Sequence, residues 1–239
     1  FLSLTMILSM VPSVWAADET QQDDTAAQES ETPAKPAMNG NCGATDADHV
    51  KWALTKNTDG TTYTLTISGE GNMADFTQPT KRADDANIAP WYAALADIAD
   101  SESHTVPITE VVVRDGVTSL GNWAFAYTQV TEATFTESVK NYGIQLYSHC
   151  TELTTVDWTN FAPEKVMLSE DDTKPYEGAA IPGHLFDSDR KLHICIVDGT
   201  TYTDTLVVPA GVEAVGTSGF YGTSFQTVDF KNNLPDVKQ

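Results

Sequence analysis

From Ile108 onward the chain repeats one spacing of apolar and polar residues. Apolar side chains fill the first, fourth and sixth places of Ile108-Thr-Glu-Val111-Val-Val113. The same spacing returns in Val130, Ala133, Phe135; in Leu153, Val156, Trp158; and in Phe225, Val228, Phe230, with a looser copy in Leu192, Cys195, Val197. Alternation over so short a run predicts a β-strand with one buried face. A second element recurs between the hexads. Val117, Gly121 and Phe125 are echoed by Val139, Gly143, Tyr147 and by Val212, Gly216, Phe220, each with Val four before the glycine and an aromatic four after it. Gly183 and Phe186 form a partial copy. The next hexad starts five or six residues after every aromatic, so the phase is kept.

Burial is the physical reason to repeat such a unit. One strand and one turn cannot hide their apolar side alone, whereas stacked copies share an interior. Each buried Val, Leu or Phe contributes roughly 1.5–3 kcal/mol. Gly121, Gly143 and Gly216 are expected where the backbone turns tightly and a Cβ would clash. Gly121 and Gly143 stand 22 positions apart, but Leu153 to Leu192 spans 39 and Leu192 to Phe225 spans 33. The excess predicts insertions, at 163–180 and 198–205, emerging as loops.

Ahead of the repeats, Val50–Leu54 and Tyr63–Ile67 alternate around Asp59-Gly60. They predict a β-hairpin whose apolar face carries Trp52, Leu54, Tyr63, Leu65 and Ile67. A short helix is expected over Ala93–Asp100, with Leu95 and Ile98 on one side. Residues 17–41 hold many carboxylates and hardly any large apolar side chain, as in a disordered, self-repelling spacer. Residues 1–16 are apolar or small and end in Val14-Trp15-Ala16. They read as the later part of a secretory signal peptide, its basic region expected upstream of Phe1. The run is too short for about 30 Å of hydrocarbon.

These motifs resemble the BspA-like leucine-rich-repeat family of bacterial cell-surface proteins. Asp115-Gly116-Val117-Thr-Ser-Leu120-Gly121-Asn-Trp-Ala124-Phe125 and Ser148-His149-Cys150-Thr-Glu-Leu153 carry the repeat pattern. Cys42-Gly43, Trp52-Ala-Leu54, Thr64–Gly71 and Ala89-Pro90-Trp91 resemble the region that precedes the repeats in such proteins. Tyr142 and Tyr147 depart from the usual Ile and Phe, the third repeat is expanded, and because Gln239 closely follows a strand either a continuation of the chain or an exposed last strand is expected. The resemblance implies adhesion and protein binding, without catalysis.

Charge and residue chemistry narrow the reading further. With 13 basic and 34 acidic residues the net charge is −21, which disfavours nucleic acid and anionic lipid. The cysteines, Cys42, Cys150 and Cys195, form no CxxC pair. They leave open one Cys150–Cys195 bridge or buried free thiols. Asp46, Asp48, Asp171 and Asp172 lack the alternating ligands of a calcium loop. His49, His104, His149, His184 and His193 make no HxxxH pair, and no G-x-S-x-G or phosphate-cradling glycine loop is present. No catalytic residue, metal site or cofactor is therefore expected.

The expected fold is a β-rich leucine-rich-repeat solenoid, its parallel strands stacked in a right-handed superhelix. A β-rich N-terminal cap covers 42–105 and the repeats run over 106–239. Alternate side chains of each strand then point outward. They are Glu110, Val112 and Arg114; Glu132, Thr134 and Thr136; Thr155, Asp157 and Thr159; Ile194, Ile196 and Asp198; Thr227, Asp229 and Lys231. Threonines and carboxylates dominate this partner-binding face, which can offer hydrogen bonds to a protein or glycan on a host or neighbouring cell. The same composition also suits a merely solvated strand surface. The expected localisation is secreted or cell-surface, with no membrane insertion after signal cleavage. Two other functions stay open: a carbohydrate-binding module, in which case Trp52 or Trp91 stacks on a sugar, and the targeting arm of a larger extracellular hydrolase.

Overall fold

A computed structural model of the protein describes residues 38–79, 87–231 and 236–237. The signal peptide and most of the acidic spacer read from sequence fall outside the described residues. Order begins with β1 (Asn39–Asn41), which pairs antiparallel with β2 (Lys51–Lys56), so the segment expected as spacer up to residue 41 supplies an edge strand. β2 pairs antiparallel with β3 (Tyr63–Ser68), matching Trp52 with Ile67 and Leu54 with Leu65. All four of these side chains are buried. The connecting loop is held by the Asp59 carboxylate, which accepts from the backbone N–H groups of Thr61 (2.7 Å) and Thr62 (2.9 Å). A two-residue strand, β4 (Gly71–Asn72), follows.

The helix starts earlier than expected. α1 covers Pro90–Leu95 and runs into a 3-10 turn, Ala96–Ile98. Pro90 stands in the first turn, where its fixed φ suits a helix and its missing N–H costs nothing. Trp91 and Tyr92 offer far more apolar surface than Ile98, so they and Leu95 set the buried face, leaving Ile98 54% exposed. The Trp91 indole N–H donates to the Ala124 carbonyl at 3.0 Å, tying the helix to the first repeat.

Repeat copies then pair through equivalent positions. β5 (Ile108–Val113) pairs parallel with β3 and extends the N-terminal sheet. β6 (Val117–Leu120) pairs parallel with β4, and on its other side with β8 (Asn141–Tyr142). β7 (Glu132–Ala133) pairs parallel with β9 (Thr155–Asp157). β10 (Lys165–Val166) joins β8 in parallel, then turns antiparallel into β11 (Tyr176–Glu177). After β12 (Ala180–Ile181), β13 (Ile194–Val197) pairs parallel with β9. Glu132, Thr155 and Ile194, each the third residue of its hexad, therefore lie side by side.

Two expectations are corrected here. The segment 163–180 is not a plain loop: it contributes β10 and β11, and buries Val166 and Leu168. The segment 198–205 folds β14 (Thr200–Thr203) back onto β13 and leads into β15 (Thr205–Val207). That hairpin occupies the edge of β13, so β17 (Thr227–Asp229) pairs with β15 instead, while β16 (Ala214–Val215) lies between β12 and β18 (Asp236–Val237). The described residues thus form five sheets of mixed direction rather than one uninterrupted parallel stack.

Between strands the repeats reuse one turn geometry. Trp123, Gln145 and Ser218, each two residues after a repeat glycine, adopt φ of 59°, 58° and 53°; Tyr127 and His149, two after an aromatic, adopt 57° and 58°. Left-handed backbone costs a non-glycine residue about 1–3 kcal/mol. It is offset by hydrogen bonds to the next copy: Trp123 N–H to Ile144 C=O (3.0 Å), Tyr127 N–H to Ser148 C=O (2.9 Å) and Gln145 N–H to Gly183 C=O (3.0 Å). The glycines serve close approach. A Cβ on Gly143 would meet the Asn122 nitrogen at 2.5 Å and the Gly121 carbonyl carbon at 2.8 Å. Beneath the turns the repeat aromatics form a column, Phe125 5.5 Å from Tyr147 and 6.4 Å from Trp91 between ring centroids. Phe125, Tyr147 and Phe186 are all buried.

Candidate binding surface

The outward side chains separate into three groups, because their strands belong to three sheets. Glu132, Thr155 and Ile194 form one continuous row, followed across β14 by Thr203; one pleat further, Asp157, Ile196 and Thr201 form a second. Glu132 and Thr159 are exposed, and Thr155 and Asp157 are half-buried. Asp157 closes the end of β9 by accepting from the Thr159 N–H (2.9 Å) and hydroxyl (2.6 Å). Desolvation, then the charge of Asp157, holds the Glu132 carboxyl above the ordinary carboxylate range. Two carboxylates so close favour a hydrogen-bond donor or a cation on this face.

Glu110, Val112 and Arg114 lie on and just beyond β5, in the N-terminal sheet. Glu110 and Arg114 are exposed, Val112 half-buried, and the Thr64 hydroxyl donates to the Glu110 carboxylate at 2.9 Å. Thr227, Asp229 and Lys231 belong to the β15–β17 pair. There the Lys231 N–H donates to the Asp229 carboxylate at 2.8 Å, and the Lys231 ammonium lies 5.3 Å from the centre of the Tyr202 ring. Thr134 is exposed and Thr136 half-buried, both just past β7.

A cleft of about 540 Å³ separates Thr109–Val113 from Thr131–Thr136. It joins Glu110, Val112, Glu132, Thr134 and Thr136 to Thr109, Val111, Val113, Thr131 and Phe135, which sequence reasoning did not assign to a site. One signal could have found it: Val112 places a large apolar residue at an outward position between two other valines.

Other chemistry sought from the sequence has these positions. Cys42, Cys150 and Cys195 are free and buried; desolvation pushes the Cys42 thiol up to about 12 and the Cys150 thiol to about 11, and raises that of Cys195. Such thiols stay protonated and weakly nucleophilic at neutral pH. Trp52 and Trp91 pack in the core, 6.2 Å apart. No group of three or more His, Cys, Asp or Glu among the described residues is arranged to hold a metal ion, and no helix among them is long and apolar enough to cross a membrane.

Residues 98–164, from the end of the 3-10 turn to the residue before β10, match the family profile described as "BspA type Leucine rich repeat region", in 6 copies. A solved structure of a leucine-rich repeat protein from Eubacterium ventriosum is similar at 16% identity over 84% of this chain, with a TM-score of 0.36. The match spans 62% of that protein's chain. None of the curated proteins compared is a match. With equivalent hexad positions paired and left-handed turns repeated at the same phase, the segment 98–164 carries leucine-rich repeats of the BspA type.

Proposed function

We propose that this chain is an exported, non-catalytic repeat protein, displayed at the cell surface, that binds a protein partner through the outward side of its strands. In this reading its units stack as a right-handed solenoid interrupted by the β10–β11 and β13–β14 pairs, with the N-terminal hairpin and α1 capping the first copy. The observation that carries it is the in-register row Glu132–Thr155–Ile194 with Asp157–Ile196 beside it. Hydrogen-bonding and apolar groups alternate there on a rigid sheet, the mixture that protein recognition uses. Export is supported by the apolar run ending in Ala16 and the acidic segment after it. The buried, protonated thiols weigh against a cysteine nucleophile.

Burial of Trp52 and Trp91 weighs against sugar stacking by those residues, since a carbohydrate platform needs its rings in solvent. The test is a binding screen of the immobilised full chain against extracellular-matrix proteins, cell surfaces and a glycan array. The Glu132→Ala/Thr155→Ala/Asp157→Ala variant is expected to lose protein binding at least about tenfold, as removing two or three net hydrogen bonds would give, while staying folded with an unfolding midpoint lowered only by the loss of the Asp157–Thr159 contacts. Full binding by that variant, binding to glycans alone, or turnover of a hydrolase substrate overturns the proposal.

A further inference from the structure

Within the β7–β9–β13 row, neighbouring backbones satisfy one another. Between β5 and β7 they do so only at the start. Val106 bridges Thr128 in parallel, and the Gln129 N–H donates to the Ile108 carbonyl at 2.9 Å. Past that point no strand pairing or backbone hydrogen bond among the described residues joins 109–113 to 131–136. The two segments instead form facing walls of the 540 Å³ cleft. β5 is bonded to β3 on its far side and β7 to β9 on its own, so each turns a strand edge toward the opening. Open edges are templates for an added strand, and insertion between two edges satisfies both.

The walls also specify side chains. Val111 and Val113 pack partly against the core and Phe135 lies buried opposite them, giving the cleft an apolar floor. At its mouth stand Glu110 and Glu132, both exposed. Among the described residues they are its only charged lining residues, and neither belongs to an ion pair there. A strand threaded here alternates its side chains between floor and mouth.

We propose that this cleft admits an extended segment of a partner protein as an inserted β-strand, in which Lys or Arg facing Glu110 and Glu132 alternates with β-branched apolar residues facing Val111, Val113 and Phe135. Five residues at about 3.3 Å each span about 17 Å, the length of the β5 wall. The inference rests on the proposed binding side and names the partner segment it would take.

Three eight-residue probes test it on the full chain: alternating Lys and Val, the same peptide with alternate backbone amides N-methylated, and a version with Glu for Lys. The Lys–Val peptide is expected to bind and to slow amide hydrogen exchange in 109–113 and 131–136. N-methylation of alternate amides keeps the side chains but blocks laddering along one wall, so affinity falls about tenfold, the worth of one or two net hydrogen bonds. Replacing Lys by Glu abolishes binding, and Glu132→Lys weakens the Lys–Val peptide. Equal affinity of methylated and unmethylated peptides, exchange protection elsewhere, or no binding overturns insertion. So does a dimer of this chain that itself protects 109–113. A Thr155→Ala/Asp157→Ala variant, which spares Glu132, reads the surface proposal separately: if it still weakens partner binding while the peptides fail, only insertion falls.

Discussion

Two neighbouring junctions in this molecule use the same sequence spacing and end differently. At β7–β9–β13, hexads starting at Val130, Leu153 and Leu192 pair in register and bury Ala133, Val156 and Cys195 completely. At β5–β7, hexads starting at Ile108 and Val130 touch at their first residues and then separate, leaving Val111, Val112 and Val113 half-buried. The difference lies in competition for edges. β5 has a second partner, β3, matched over Tyr63–Ile67 with a register shift after Tyr63, and follows that strand's course. β7 is short and follows β9. Where two sheets claim adjacent strands, the seam between them opens.

The largest expected effect strikes both junctions together. Phe125→Ala removes a fully buried ring from the column beneath them and is expected to cost about 3–5 kcal/mol, measured as a lower denaturant midpoint at constant slope. Gly143→Ala acts on the close approach of successive turns. The gain from a stiffer unfolded chain, about 0.4–1 kcal/mol, is outweighed by backbone contacts of 2.5 and 2.8 Å, for a net loss of about 1–3 kcal/mol in thermal or chemical unfolding.

A paired substitution sharpens the comparison directly. Val156→Thr buries a hydroxyl in the closed row and is expected to lose about 1–3 kcal/mol, whereas Val112→Thr at the cleft stays within about 0.5 kcal/mol. Equal losses would mean that the seam is shut in solution. The smallest effect is expected at the mouth of the cleft. Because the folded pKa of Glu132 is raised, its ionisation opposes folding as pH rises through that pKa; below the unfolded value the penalty is absent. Glu132→Gln is thus expected to match the parent near pH 3 and to equal or slightly exceed it at pH 7, within about 0.5 kcal/mol, by thermal melts across that range.

Much of the local structure was legible. The alternation around Asp59-Gly60 located the hairpin and its buried face, and the hexads at Val130, Leu153 and Leu192 identified strands that do lie together. Outward placement of Glu132, Thr155 and Asp157 followed from the same alternation. The helix boundary is not legible in the periodic pair Leu95 and Ile98, because the larger rings of Trp91 and Tyr92 set the buried face. Thr227, Asp229 and Lys231 were assigned to the common column, yet the β14 hairpin diverts β17 to β15. Nor did the residues reveal that Trp123, Gln145 and Ser218 share a left-handed turn, since none of the three types favours it.

Spacing along the chain was enough to specify strands, their buried sides and the unit that recurs, because each follows from short-range alternation and from the need to hide apolar surface. Which strand pairs with which was decided only on folding. Backbone hydrogen bonds carry no residue code, so hexads of equal quality go to whichever edge is free and near. The pairing of β5 with β3, the diversion of β17, and the cleft left between β5 and β7 are consequences of that choice.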